Sequence, residues 1–332
     1  CTWGPARDRL NQAGVSVITY GKGKRRGTQK FNWTASSDWW DVAREWQAVA
    51  DVPLTAEQAS RLDAYLASRR DHSADTLRYN FGDEETPRQT RQRLRLDADK
   101  PTFVLFTNVL WDAASAQREV AFRDPIEWVM ETIDWFARHP DRQLVVKVHP
   151  AEIVIGTKQP FASLIRRRFP RPPANVRVIE PHEKVNSWSI MQVADLGLVH
   201  TSTVGMELPL EGIPCAVVSR THFRGKGFTI DVNGREEYFR LLEAWDPASV
   251  DRRRLRTLAR RYAYLLFERY QLPWPFIYEA AHTDARALTV TAPADLLADA
   301  TMRLLVGAIE RREEFLLPAC GPAAAERVPA AV

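Results

Sequence analysis

Residues 200–231, HTSTVGMELPLEGIPCAVVSRTHFRGKGFTID, decide the fold. An apolar run at 195–199 (DLGLV) leads into three consecutive hydroxyl residues, Thr201, Ser202 and Thr203. A helix-compatible segment, 204–211, ends at Gly212 and Pro214. A second apolar run, 215–218, follows, and then a loop holding Gly225, Lys226 and Gly227. Strand, hydroxyl turn, helix, strand is the minimum unit of an open α/β sheet, and such sheets bind ligands at the carboxyl ends of their strands. Backbone N–H groups and the positive end of a helix dipole make that turn a natural seat for phosphate.

Upstream the same alternation repeats. Residues 102–107 (TFVLFT) form a continuous apolar run, as expected of a central parallel strand, and end on Thr107-Asn108. Asp124-Pro125 opens a helix to residue 138, with proline in its first turn. Residues 143–148 (QLVVKV) read as the next strand and end on His149-Pro150. A helix at 161–169, a strand at 176–179 and a helix at 184–194 then lead back to the opening unit. Strands separated by helices of this length argue for a Rossmann-type α/β fold with a doubly wound parallel sheet.

The flanks are less regular. Residues 14–21 read as a short strand bounded by glycines, running into the basic loop GKGKRRG, whose spacing does not fit a phosphate-binding P-loop. A Ser36-Ser37-Asp38 cap signal and the spacing of Trp39, Val42, Trp46 and Val49 predict a helix within 33–50, its tryptophans facing a core. Thr55 with Gln58 caps a second helix, to residue 68. Residues 71–100 are polar and aperiodic, and read as a surface connection and domain boundary. Helices are expected at 236–244, 247–272 and 292–311, and disorder from Pro318 onward. The domain reading is an amino-terminal domain at 1–98; a Rossmann-like domain at 99–290; a carboxyl-terminal helix at 291–317; and a tail at 318–332.

Composition narrows the class. At 332 residues, 45% hydrophobic and 27% charged, the chain matches a globular protein with one large core or two moderate ones. No apolar run approaches the roughly 20 residues of a membrane helix, and the start, CTWGPARDRLNQAG, has no signal-peptide pattern. The first residue is not Met, so a fragment or processed product is expected. Three scattered cysteines make neither a disulfide framework nor a metal site and suit a reducing cytoplasm. The net charge is +4, and the basic clusters at 22–26, 166–168 and 252–256 read as solvated faces. With no zinc-finger, RNP or helix-turn-helix signature, nucleic acid is not an expected partner.

Chemistry concentrates at the strand ends. His149 projects at the carboxyl edge of the sheet, where it can donate to a phosphate or leaving-group oxygen as that oxygen gains charge. Pro150 rigidifies the turn. Three hydroxyls in a row at 201–203 exceed what helix capping needs, and phosphate contact explains them better. Glu207, one turn into the helix, can accept hydrogen bonds from vicinal ribose hydroxyls. Asn108 reaches the same crevice, and Lys226, between two glycines, is a loop cation that can close over a diphosphate. Lys147 reads as covering a helix; Asp231 and Tyr238 read as supporting or structural.

His149-Pro150, the pattern T-S-x-x-G-x-E-x-x-x-x-G-x-P at 201–214 and F-x-G-x-G-x-T-x-D at 223–231 resemble bacterial capsule polysaccharide biosynthesis glycosyltransferases, including Kdo transferases. The HP and hydroxyl elements also resemble those of bacterial sialyltransferases and teichoic-acid glycerophosphotransferases. The resemblance spans about residues 102–239. It implies a GT-B fold, with His149 and the 201–203 turn on the donor phosphate and Glu207 on the nucleotide ribose. Kdo transferases commonly carry an aromatic and a tryptophan where this loop has Arg224 and Lys226.

The resulting expectation is an enzyme that moves a sugar from a nucleotide-sugar donor to a capsule or other surface polysaccharide, or to a lipid-linked glycan. It is expected in the cytoplasm, in peripheral contact with the inner membrane surface. No cofactor is expected, the donor being a substrate, and no metal, since no D-x-D pair stands at a strand end. The alternatives are a CDP-alcohol glycerophosphotransferase, a nucleotide-sugar epimerase and a non-catalytic nucleotide-binding subunit.

Overall fold

The computed structural model describes residues 4–33, 35, 42–71, 73, 75, 81–110, 118–154, 156–279, 286–290 and 292–319. The chain divides into two compact units, one of Tyr79–Tyr262 and one of Cys1–Arg78 with Ala263–Val332. The sequence reading placed the boundaries at 98/99 and 290/291 instead. Residues 87–94 are helical and their neighbours pack into the parallel-sheet unit, whereas the chain after residue 262 returns to the other unit.

The first unit begins with α1 (Gly4–Gln12), the hairpin strands β1 (Ile18–Lys22) and β2 (Thr28–Trp33), α2 (Ala43–Val49) and α3 (Ala56–Asp71). Strand β2 falls between the predicted basic loop at 21–27 and the predicted helix within 33–50, where no element was expected, and meets the latter only at Trp33. Its residues pair antiparallel with β1 from Ile18↔Trp33 to Lys22↔Gln29. The predicted cap at 36–38 and Trp39 lie outside the described residues. Val42 and Trp46 are buried as expected, and Thr55 and Gln58 form the predicted capping box.

In the second unit, α4 (Pro87–Leu94) precedes β3 (Thr102–Phe106), α5 (Pro125–Ala137), β4 (Gln143–Lys147), α6 (Ala151–Val154), α7 (Phe161–Arg168), β5 (Val176–Ile179), α8 (Ser187–Met191), β6 (Leu196–Val199), α9 (Val204–Leu210), β7 (Cys215–Val217), β8 (Ile230–Asp231), α10 (Arg235–Glu243) and α11 (Arg252–Tyr264). Helix α4 falls in the stretch read as aperiodic; Thr86 and Gln89 close a capping box there, with Pro87 in the first turn. The six strands are all parallel, in the order β5-β4-β3-β6-β7-β8. The chain winds outward through β4 and β5, returns to the other side of β3 at β6, and winds outward again. The order therefore reverses between β3 and β6, which is the topological switch point.

Alternation along the strands sorts the two faces. Phe103, Leu105, Leu144, Val146, Leu196 and Leu198 share one buried cluster with Trp128, Ile133 and Phe136 of α5, Ile165 of α7 and Leu242 of α10. The opposite face carries Gly197 and Val199, against α9. A Cβ on Gly197 would lie 2.2 Å from Leu208 Cδ1, so only glycine lets the helix approach this closely. Helices on both faces make the sheet doubly wound, as predicted.

The first unit resumes with a π-helical turn, Leu265–Arg269, continuing α11. Then come β9 (Leu272–Pro273), which pairs with β2, the hairpin β10 (Ile277–Glu279) and β11 (Arg286–Leu288), α12 (Pro293–Ala298) and α13 (Ala300–Arg311). Phe31, Leu272, Leu305 and Phe315 form its small core. The buried carboxylate of Glu268 receives Arg25 at 2.7 Å and Arg61 at 2.9 Å. The predicted disordered tail lies almost wholly outside the described residues. No helix among those residues is long and apolar enough to cross a membrane.

Candidate functional site

Three strand ends meet at the switch point. Beyond β3 come Thr107 and Asn108, beyond β6 the 201–203 turn, and beyond β4 His149. The Asn108 side chain reaches across the switch point, its Oδ1 accepting from Thr201 N–H at 3.1 Å. On the other flank, His149 N–H donates to Thr107 Oγ1 at 3.0 Å. The two bonds bring His149, Asn108 and the hydroxyl turn to one edge, as their positions after parallel strands predicted. Thr107 is a member that sequence reasoning missed; the available signal was a hydroxyl at a strand's last position.

His149 is half-buried and its tautomer is set locally. Ala151 N–H donates to Nδ1 at 3.1 Å, so the neutral ring keeps its proton on Nε2, as a donor. Pro150 is buried and directly precedes the one-turn helix α6, where its carbonyl accepts from Ile153 N–H at 3.1 Å. Glu152 of α6 holds the next element: its Oε1 accepts from Phe161 N–H at 2.7 Å, capping α7, whose own Pro160 supplies no side-chain cap. Burial raises the Glu152 carboxyl against the lowering pull of those α7 N–H groups.

In the hydroxyl turn, Ser202 Oγ accepts from Val204 N–H at 3.3 Å, a local turn contact. Thr203 stands at the N-cap of α9, yet its side chain makes no capping bond. All three hydroxyl residues are half-buried. Glu207 is buried in α9, 8% exposed. Gly205 lets Phe223 press on the first turn of this helix; a Cβ there would lie 2.7 Å from Phe223 Cζ and 2.8 Å from Val199 Cγ2.

The glycine loop that carries Lys226 is anchored on both sides. Phe223 and Phe228 are buried. Arg224 donates to the carbonyls of Val217 at 2.9 Å and Val232 at 2.9 Å, and Asp231 accepts from Gly225 N–H at 2.6 Å and Thr229 Oγ1 at 2.7 Å. Gly225 and Gly227 turn at φ of +73° and +83°, setting Lys226 half-buried between them. Asp231 is thus a loop tie. Tyr238 is a core residue whose hydroxyl lies 2.9 Å from Thr132 Oγ1.

His200 adjoins the hydroxyl turn but belongs to the opposite face, its ring tilted on Trp128 at 6.2 Å. Burial, with Arg118 alongside, pushes this imidazole down to about 4, against a smaller upward pull from Asp124. The folded state therefore holds His200 neutral while an unfolded chain protonates it below its ordinary 6.5. Its contribution to stability is complete above pH 6.5, shrinks as the pH falls, and is gone near pH 4. That span corresponds to about 3 kcal/mol. Denaturant titrations should show the wild type losing about that much more stability than His200→Leu between pH 6.5 and 4; equal losses would refute a neutral buried His200.

No protein-family model matches the chain, and no curated protein matches it in sequence. Among solved structures it is similar to the β-Kdo 2,4 transferase KpsC of Thermosulfurimonas dismutans, with a TM-score of 0.51 and 18% identity over 80% of this chain and 77% of that one. The β-Kdo 2,7 transferase of the same protein gives 0.47 and 16% over 86% and 79%. A UDP-GlcNAc 2-epimerase from Neisseria meningitidis gives 0.35 and 16% over 53% and 44%. The first of these likenesses carries the assignment of a GT-B-like fold, with the Rossmann-type sheet in the second unit.

Proposed function

We propose that the crevice between the ends of β3 and β6 is the donor site of a glycosyltransferase. The enzyme moves a sugar from a nucleotide-sugar donor to a capsule or other surface polysaccharide acceptor. One observation carries the reading: the Asn108–Thr201 bond across the switch point, which fixes the hydroxyl turn beside His149.

In transfer, the bond between the anomeric carbon and the donor phosphate oxygen breaks, a bond from that carbon to the acceptor oxygen forms as the hydroxyl releases its proton to solvent, and the nucleotide leaves with its phosphate charge increased. His149 Nε2–H and the Thr201, Ser202 and Thr203 turn are suited to that charge, because fixed donors stabilise a developing anion without reorganising. Glu207 takes the ribose hydroxyls, Asn108 and Pro150 hold the two turns in place, and Lys226 adds a nearby cation. A lipid-linked acceptor implies peripheral contact with a membrane surface. The exposed Arg253, Arg254 and Arg256 of α11 offer a cationic face for anionic headgroups.

Hydrogen bonds to a charged group are worth roughly 1.5–3 kcal/mol. Glu207→Ala should therefore raise the KM for the donor about 10- to 100-fold while lowering kcat much less. The check is nucleotide release from a panel of nucleotide sugars. An unchanged KM would remove Glu207 from the site, and absence of turnover in wild type that still binds nucleotide would favour a non-catalytic subunit.

A further inference from the structure

Lys147 closes β4 on the sheet face that α9 covers, two residues before His149. Its register partners are Phe106 of β3 and Ile179 of β5. Its side chain is 4% exposed, and among the described residues its ammonium makes no hydrogen bond or ion pair. The charged groups facing it are Glu183, in the β5–α8 connection, and Arg93 of α4. Glu183 is already committed, to Arg177 and to the backbone N–H of Glu180. Arg93 repels the ammonium.

An ammonium buried without a counterion costs several kcal/mol, and hydrophobic residues are usually preferred at such positions. This one stands at the carboxyl edge of the sheet, on the face of Asn108 and the hydroxyl turn, and β4 is separated from β6 by β3 alone, roughly 10 Å away. An anion entering the crevice would supply the missing partner.

We propose that Lys147 is a binding residue of the donor site, its ammonium taking an anionic oxygen, phosphate or sugar carboxylate, that the donor brings and the described residues do not supply. The proposal rests on the donor-site reading above. Desolvation by burial supports it, holding the amine down to about 8, so that it is about half protonated at pH 8 and gains a proton when an anion binds.

The test is titration calorimetry at pH 8 in two buffers of different ionisation enthalpy, with CMP, CDP, UDP and CMP-N-acetylneuraminate as probes. The phosphates are fully ionised at this pH, so proton uptake reports the protein. Wild type should take up about half a proton per ligand bound. Lys147→Met should bind at least tenfold more weakly, without uptake, while unfolding no more easily than wild type. Lys147→Arg, always charged, should bind without uptake. Uptake with the bare nucleotides assigns the phosphate; uptake with the sugar nucleotide alone assigns the carboxylate. Equal uptake with cytidine or uridine would place the contact on the base and overturn an anionic partner. Binding without uptake by wild type, at an affinity Lys147→Met shares, overturns the proposal and leaves the donor site standing. No binding of any probe to wild type overturns the donor-site reading and this proposal with it.

Discussion

Replacing His149 with alanine should lower the rate of sugar transfer about 1,000-fold, the scale on which a positioned donor or acid acts in a transition state. Stability should fall by about 1 kcal/mol for the bond that Nδ1 accepts from Ala151 N–H. The backbone N–H of position 149 still reaches Thr107 Oγ1, so the strand end keeps its place. Initial rates with a saturating donor, read beside a denaturant titration, separate the two effects. A variant with more than a tenth of wild-type activity would take His149 out of the chemistry. Equal collapse of activity and stability would make it structural.

Glu268→Ala carries the largest expected loss of stability, about 3 kcal/mol. Truncating one member of a buried ion pair typically costs 3–5 kcal/mol, and the lower end applies because both arginines retain some contact with water. Glu268 is 4% exposed, and its two oxygens receive Arg25 and Arg61 separately. The same carboxylate sits in the π-helical turn that follows α11. A shift in denaturation midpoint worth less than 1 kcal/mol would show that solvent screens the pair.

The parallel-sheet unit was legible in the sequence because each of its signals is local. Apolar runs of strand length, Asp124-Pro125 at a helix start and Gly212 after a helix end sit within a few residues of what they specify. The predicted strand at 176–179 is the observed β5. His149 and the hydroxyl turn could be placed together for a related reason: residues following parallel strands must emerge at one edge. What stayed hidden depends on distant chain. Glu268 finds its partners 243 and 207 residues away, and nothing near it announces them. Strand β2 carries Lys30 and Asn32 at buried positions, which broke the apolar pattern that would have revealed it. Glu152 caps a helix other than its own, so the usual cap position, Pro160, looked empty. The α4 capping box was a local signal and could have been read; the polar surroundings of Thr86 and Gln89 concealed it. The fixed state of the Lys226 loop is a tertiary property, since Arg224 reaches carbonyls at the ends of two strands.

That the β3–β6 crevice holds a donor nucleotide is tested most directly by thermal unfolding of wild type and His149→Ala with CMP, CDP, UDP, GDP and TDP. A ligand at 100 times its dissociation constant should add about 2.7 kcal/mol. Stabilisation by one nucleotide class, reduced in the variant, is the predicted result, CMP pointing to a sugar-acid or alditol-phosphate donor and a diphosphate to a hexose donor. Well-folded protein that responds to none of the five would contradict a donor site there.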